Sequence, residues 1–325
     1  MAPSLIARAK RLLDLAPLIL LVVLGAVFAA IDDRVVSAAN IVNIVAQATP
    51  VALLGLGTLV VLLTAGIDLS AGVGVALCSI LIAGAIDAGA GIGAALLLGL
   101  GASLGLGLAN GLVIAILRIP PFVTTLASMV AVQGATLAFA RKGVVIVKDP
   151  LLRAIGLERS FGIPNSIWAT ALVAILAAAV MRRTRFGLRT RAIGSDAAAA
   201  ELAGIPVKTQ TLQVYVVSGL FTFLTAVMMV SRVPVVTPNL GGTSLLLDAL
   251  SAAVIGGTSI FGGRGSVWGV LAGAVIVSLL TNALRVFGSD PSTIDLSKGA
   301  IIMLALAGDA GLTQLSAHLQ RRAAA

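Results

Sequence analysis

The sequence is poor in charged residues and in the side chains that metal and nucleophile chemistry need. Only 11% of its 325 residues are charged, against roughly 25% in a soluble domain. One histidine and one cysteine are present, so an intrachain disulfide and a cysteine-based zinc site are excluded. No H-E-x-x-H or P-loop motif occurs. We therefore expect no catalytic centre, no metal site and no nucleotide bound by this chain alone.

Long apolar runs take the place of these motifs. Hydrophobic residues make up 59% of the chain, and such a chain cannot cover a water-facing surface, so the excess must face lipid or other helices. A membrane-spanning helix needs about 20 apolar residues. We predict an all-α polytopic membrane protein that forms one transmembrane domain over residues 1–325. About ten helices are expected near residues 12–31, 41–64, 67–87, 91–117, 121–140, 164–181, 210–231, 246–262, 267–287 and 295–310.

The first apolar run, 12–30, is longer than the core of a secretory signal peptide, which favours a retained first helix. An even number of spans places both termini on one side of the membrane. Three basic residues within the first eleven and two near the C-terminus indicate that this side is the cytoplasm.

The basic residues between spans mostly fit the same orientation. The segment 182–209, predicted as a cytoplasmic loop, is strongly basic, whereas the predicted external loop 141–163 is also basic and disagrees. Cations placed between apolar spans account for the net charge of +9 through the positive-inside bias, which argues against nucleic-acid binding.

The segment Gly66-Ile67-Asp68-Leu69-Ser70 places a carboxylate between two apolar runs. A charge at membrane depth is costly and suggests a substrate or proton role. Asp68 or Ser70 could instead cap the next helix, and both interpretations stay open. Further isolated polar residues could each line a substrate pathway or bond a neighbouring helix. They are Asn110, Gln133 and Asn282.

A run of alanines in the basic segment predicts a short exposed helix. Ser195 or Asp196 can cap its start, and Gly204 suits its end. Such a helix could dock into a groove of a partner or lie on the membrane interface, and residues alone do not separate these alternatives.

A glycine-rich stretch near residues 248–266 predicts a tight turn between two helices with close backbone contact. Its basic residue, Arg264, is expected to anchor the cytoplasmic end, and its glycines are Gly256, Gly257, Gly262, Gly263 and Gly265.

These three segments, together with 111–126, resemble permease subunits of bacterial ABC importers of the ribose/monosaccharide type. Residues 66–70 resemble the GIDLS signature, and 187–205 resemble the loop that couples to the ATPase. The family often has Gly-Asn where this chain has Ser195-Asp196. The resemblance implies the type II importer arrangement of helices. It also favours docking for the alanine-rich helix, with a coupling loop that includes Gly194, Ser195, Asp196, Ala199, Ala200, Glu201 and Gly204.

The resemblance also implies a function and a set of partners. We expect transport of a monosaccharide into the cytoplasm across the bacterial inner membrane. The expected partners are a second permease, identical or homologous, two cytoplasmic ATPase subunits that bind ATP and Mg, and a periplasmic sugar-binding protein. Two alternatives are a branched-chain amino acid permease of the related ABC group and a proton-coupled transporter in which Asp68 titrates. The GIDLS sequence favours sugars over amino acids.

Overall fold

The computed structural model describes residues 2–140, 143–300 and 303. Most of them are helical, with short strands in the loops. The helices are α1 (Ala2–Ile31), α2 (Ala38–Leu62), α3 (Ser70–Asp87), α4 (Ile92–Leu117), α5 (Pro121–Phe139), α6 (Pro150–Gly156), α7 (Asn165–Arg183), α8 (Arg185–Ser195), α9 (Ala197–Leu202), α10 (Val207–Arg232), α11 (Gly242–Ile255) and α12 (Val267–Val286). The strands are β1 (Val145–Ile146), β2 (Arg159–Ser160), β3 (Ile163–Pro164) and β4 (Val235–Val236).

Seven helices of the described part are long and apolar enough to cross a membrane. They are α2, α3, α4, α5, α7, α10 and α12. Two shorter apolar helices, Ala16–Ile31 within α1 and Gly242–Ile255, fall where further spans were predicted. Residues 291–300 are helical, and most of the remainder of the predicted tenth span lies outside the described residues. The predicted all-α membrane architecture is thus confirmed.

The predicted span 246–262 was wrong. The helix α11 has 14 residues, which is about 21 Å of helix against a hydrocarbon core of about 30 Å. It ends at Ile255 because a glycine turn follows, in which Gly257 and Gly262 have φ angles of +83° and +92°. A helix this short cannot cross the bilayer by itself.

The prediction for the segment 182–209 was also incomplete. It contained only the alanine-rich helix α9, whereas the structure has a further helix, α8, before it. The first residues of α8 pack tightly on the end of α7, where a Cβ added at Gly187 would overlap the Met181 carbonyl. Gln210 at the start of α10 donates to the Phe186 carbonyl at 3.1 Å and to Thr190 Oγ1 at 2.9 Å. These tertiary contacts stabilise a helix that the arginine-rich sequence did not reveal.

The order of the helices along the chain defines two ends of the bundle. One end carries α8, α9, the C-terminus of α2 and the 256–266 turn, and we call it the α9 end. The opposite, ribbon end carries the antiparallel pair β1–β4, in which Val145 pairs with Val236. The α11 helix runs from the ribbon end toward the α9 end, and its first residue lies inside the thickness of the bilayer because the helix is short.

Glycines bring the spans into backbone contact, as membrane helices require in the absence of a hydrophobic driving force. A Cβ added at Gly107 of α4 would overlap the Tyr215 carbonyl of α10, and one at Gly219 of α10 would overlap the Ser103 carbonyl of α4. The two helices therefore cross at a distance that only glycine allows.

Proline is accommodated inside the buried helix α2. Pro50 has no N–H to donate to the carbonyl of Ala46 four residues earlier. The hydroxyl of Thr49 donates to that carbonyl at 2.8 Å. The freed backbone acceptor is thus satisfied within the helix, which the bilayer demands.

Candidate functional site

The carboxylate of Asp68 lies in a polar network between α3 and α10. One carboxylate oxygen, Oδ1, accepts from the backbone N–H of Ser70 at 3.0 Å and from its hydroxyl at 2.6 Å. The other, Oδ2, accepts from the Ser218 hydroxyl at 2.8 Å. Asp68 therefore binds the first backbone amide of α3 and also α10. Leu69 occupies the N-cap position, and Ser70 is the first residue of α3 and not its cap.

The predicted polar residue Asn110 extends this network toward α5. Its side-chain amide donates to Ser70 Oγ at 2.8 Å, and its carbonyl oxygen accepts from the hydroxyl of Ser128. We call Asp68, Ser70, Asn110, Ser128 and Ser218 the Asp68 network. Its residues come from α3, α4, α5 and α10 and the loop before α3, so it fixes the relative positions of four helices.

Three of the predicted segments meet at the α9 end, directly below this network. The carbonyl of Leu63 accepts from the N–H of Gly263 at 3.1 Å. A Cβ at Gly194 would overlap that carbonyl, and one at Gly262 would lie 2.6 Å from the Gly194 carbonyl oxygen. We call the contact of Leu63, Gly194, Gly262 and Gly263 the glycine junction. It connects the end of α8 to the loop that leads to Asp68.

The predicted short alanine-rich helix is present as α9, and it follows the α8 residues of the glycine junction directly. The Asp196 side chain accepts from the Ala199 N–H at 2.9 Å and so caps α9, whereas Ser195 is the last residue of α8 and donates to a carbonyl of that helix. Gly204 ends the segment with a φ angle of +80°. Ala200 is buried, while Ala199 and Glu201 are exposed.

A residue that sequence reasoning missed is Leu202, whose surface is 91% exposed at the end of α9. A leucine in a basic, polar segment is the signal that could have identified it. Together with the exposed small side chains of α9, it forms an apolar surface of the kind that fits into a groove on another protein.

The glycine turn 256–266 packs α11 closely against α12, as predicted. A Cβ at Gly256 would overlap the Gly269 carbonyl, and one at Gly273 would overlap the Ala252 carbonyl. The turn itself is closed by the N–H of Ser259, which donates to the carbonyl of Arg264 at 2.9 Å. The Arg264 side chain is exposed at the α9 end.

A cavity of about 240 Å³ opens at the N-terminus of α11, and we call it the α11 cavity. Its polar lining includes the predicted residue Gln133 of α5 and Asn239, Thr243 and Ser244 of the segment that starts α11. The first three N–H groups of α11 have no acceptor within the helix. The cavity is lined by Val73, Ala76, Gln133, Thr136, Leu137, Pro238, Asn239, Gly241, Gly242, Thr243 and Ser244, none of which is charged.

Asn282, predicted as a pathway or structural residue, does not line this cavity. Its amide exchanges hydrogen bonds with that of Asn40 at 2.7 and 3.2 Å, which binds the end of α12 to the start of α2. Such interhelical amide pairs contribute roughly 0.6–2 kcal/mol. Asn282 thus stabilises helix contacts, whereas Gln133 faces open space.

An ion pair joins α11 to the helical residues 291–300. Lys298 Nζ lies 2.9 and 3.1 Å from the two carboxylate oxygens of Asp248, and the side chains are only 14% and 18% exposed. A charge within an apolar run requires a partner. The sequence placed both charges in predicted spans but could not pair them across 50 residues.

Comparisons with known proteins agree with this architecture. A family model described as "Branched-chain amino acid transport system / permease component" matches residues 40–306. The ribose import permease protein of Escherichia coli (strain K12) is 32% identical over 302 residues, or 92% of this chain and 94% of the relative. The fructose import permease protein of Rhizobium meliloti is 32% identical, covering 93% and 86%.

The L-arabinose transport system permease protein of Escherichia coli (strain K12) is 34% identical over 200 residues, or 62% of this chain and 61% of the relative. No solved structure matches the chain. The family model covers most of the chain, and two relatives match it over nearly their whole length. The chain therefore belongs to the family of ABC-importer permeases that this model describes as the branched-chain amino acid transport system permease component.

Proposed function

We propose that this chain is the transmembrane subunit of an ATP-driven importer that moves a monosaccharide into the bacterial cytoplasm. The observation that carries the substrate class is the near full-length similarity to permeases named for ribose and fructose. The family model is named for branched-chain amino acids, whereas the relatives that match over nearly their whole length are named for sugars. The chain lacks a P-loop, so ATP and Mg belong to two partner ATPase subunits.

The exposed helix α9 supports docking of an ATPase subunit at the α9 end. Its apolar residue Leu202 fits a groove on such a partner, and the glycine junction connects the base of α9 to the loop of Asp68. Movement of α9 would therefore be transmitted through backbone contacts to the start of α3. In this proposal the α9 end and both termini lie in the cytoplasm.

The α11 cavity is the proposed substrate site on this subunit. Sugar hydroxyls both donate and accept hydrogen bonds, and Gln133 and Asn239 offer both kinds of group beside the N-terminal amides of α11. Transporters commonly bind substrate near the midplane at the ends of discontinuous helices. An uncharged lining suits a neutral polyol better than a zwitterionic amino acid, which would leave its ammonium group without a charged partner. A second permease subunit would complete the pathway, and a periplasmic binding protein would deliver the sugar.

Uptake into proteoliposomes tests the proposal. The chain is reconstituted with its ATPase subunits and binding protein, with Mg-ATP inside, and labelled ribose, fructose, arabinose and leucine are compared. We expect vanadate-sensitive uptake of at least one sugar and none of leucine. Uptake of leucine alone would favour the amino acid alternative, and ATP-independent uptake driven by a proton gradient would favour a secondary transporter.

A further inference from the structure

A cavity of about 390 Å³ lies at the α9 end, beside the glycine junction and away from the α11 cavity, and we call it the arginine cavity. It is bounded by the C-terminus of α7, by α8 and by the N-terminus of α12. Two guanidinium groups line it, those of Arg182 and Arg191. No acidic side chain lines it, and among the described residues neither arginine forms an ion pair.

The positive potential of the arginine cavity comes from separate sources. Arg191 donates to the Gly265 carbonyl at 3.0 Å, so its position is fixed. Burial lowers the pKa of Arg191, and the positive charge of Arg182 acts in the same direction. The N-terminus of α12 contributes the unpaired first-turn amides of Val267 and Trp268. An anion in the cavity would relieve the repulsion between the two arginines.

The rim of the arginine cavity is apolar. Leu188 is 70% exposed and Trp268 is 48% exposed, and the buried side chains of Met181 and Ala178 line the cavity behind them. Tryptophan is enriched where the hydrocarbon core meets the headgroups. Trp268 is the second residue of a predicted membrane span, which places the cavity at that depth. A soluble anion would need only the arginines, whereas a lipid would use both the charges and the apolar rim.

We propose that the arginine cavity binds the phosphate headgroup of an anionic phospholipid, with the acyl chains against Leu188 and Trp268. A guanidinium group can donate two parallel hydrogen bonds to two oxygens of one phosphate, and the cavity offers two such groups. This lipid would belong to the cytoplasmic leaflet, and that placement rests on the orientation in the proposed function. Binding of the lipid does not depend on the orientation, so the lipid site and the proposed function can fail separately.

Fluorescence quenching tests this proposal on the full chain in mild detergent. The chain has two tryptophans, so Trp168→Phe leaves Trp268 as the reporter. Phosphatidylglycerol with brominated acyl chains is titrated against brominated phosphatidylcholine. We expect the anionic lipid to quench Trp268 at a concentration about tenfold or more lower than the neutral lipid, because charge-assisted hydrogen bonds to phosphate are strong.

The variants separate the cavity from the general charge of this surface. Arg182→Gln with Arg191→Gln should abolish the preference for the anionic lipid. The matched control, Arg183→Gln with Arg185→Gln, removes the same charge from exposed residues outside the cavity and should keep it. Arg182→Gln alone serves if the double variant does not fold, and it should weaken the preference. An equal loss in control and cavity variants would overturn the proposal.

Two further arms identify the occupant. A response of Trp268 to inorganic phosphate without quenching by brominated phosphatidylglycerol would assign the cavity to a soluble anion and contradict a lipid site. The titration is repeated on the complex assembled with its ATPase subunits. Persistent quenching supports a resident lipid, whereas quenching that disappears on assembly would show that the ATPase subunit occupies the cavity.

Discussion

At the residue scale, Asp68 accepts three hydrogen bonds that the surrounding structure supplies in a fixed geometry. Two come from Ser70 and one from the Ser218 hydroxyl, 150 residues further along the chain. Protein donors therefore occupy three of the roughly four acceptor positions of the carboxylate. This arrangement is what a structural connection between helices needs, and it leaves little capacity for a proton or a sugar.

Substitution of Asp68 separates the acceptor role from the charge. In Asp68→Asn the amide oxygen can still accept from Ser70, and the amide nitrogen can donate to the Ser218 oxygen. In Asp68→Ala these buried donors lose their acceptor, at a cost of about 1–3 kcal/mol each. We expect near-normal thermal stability and ATP-driven uptake for Asp68→Asn, and a lower melting temperature for Asp68→Ala. A stable Asp68→Asn complex without uptake would show that the charge itself acts in transport.

Gly194 is the residue on which the glycine junction depends most. Its added Cβ would overlap the Leu63 carbonyl and lie 2.6 Å from the Gly263 nitrogen, and backbone atoms cannot move aside cheaply. We expect Gly194→Ala to lower the melting temperature and to uncouple ATP hydrolysis from uptake. The control is Gly105→Ala, since a Cβ there meets nothing within 4 Å and alanine favours the helix. Wild-type stability and coupling in Gly194→Ala would contradict the junction.

At the scale of elements, the short helix α11 is connected to the bundle at both of its ends. Its N-terminus abuts α3, where a Cβ at Gly72 would overlap the Gly242 carbonyl. Its C-terminus enters the turn that forms the glycine junction. Between these ends, the Asp248–Lys298 ion pair holds its flank. The helix can therefore move only together with α3 and with the base of α9.

The ion pair gives a prediction for this element. Lys298→Met leaves the partly buried Asp248 carboxylate without its partner. The cost should lie below the ~3–5 kcal/mol of a fully buried pair, because both side chains keep some contact with solvent. Replacement of both residues, Asp248→Leu with Lys298→Met, removes the unpaired charge and should recover most of the stability. Thermal unfolding of the purified chain measures the difference. A melting temperature of Lys298→Met equal to that of the wild type would mean that the pair contributes nothing to stability.

Elements differ in how well their residues predicted them. Most spans follow directly from apolar length, and the cap and stop of α9 follow from Asp196 and Gly204. The helix α8 was missed because it depends on Gln210, which binds it from another element. The start and end of α11 were missed because the apolar pattern continues past Ile255 while backbone conformation does not.

The candidate site shows the same limit. Asn282 and Gln133 are alike in sequence, as single amides in apolar runs, yet one pairs with Asn40 and the other faces the α11 cavity. Which face of a helix meets a partner depends on packing between distant spans. Ser128 and Ser218 carry no local signal at all, because serine is common in membrane helices.

At the scale of the whole molecule, contacts run without interruption from the exposed surface to the α11 cavity. They pass from α9 through Gly194 to Leu63 and the Asp68 loop, then along α3, whose residues Val73 and Ala76 line the cavity. This path connects the proposed ATPase contact to the proposed substrate site through backbone packing, which is stiff.

The central claim is that an ATPase subunit docks on α9 and drives the transport of sugar. The most direct test is co-purification of the tagged chain with its ATPase subunit, for the wild type, for Leu202→Ser and for the control Leu157→Ser. Leu157 is also an exposed leucine, 53% accessible, but it ends α6 at the ribbon end of the bundle. We expect equal stoichiometry of ATPase and permease for the wild type and the control, and a loss of the ATPase subunit in Leu202→Ser. Retention of the ATPase subunit by Leu202→Ser would contradict the role of α9, and its absence from the wild type would contradict the importer assignment.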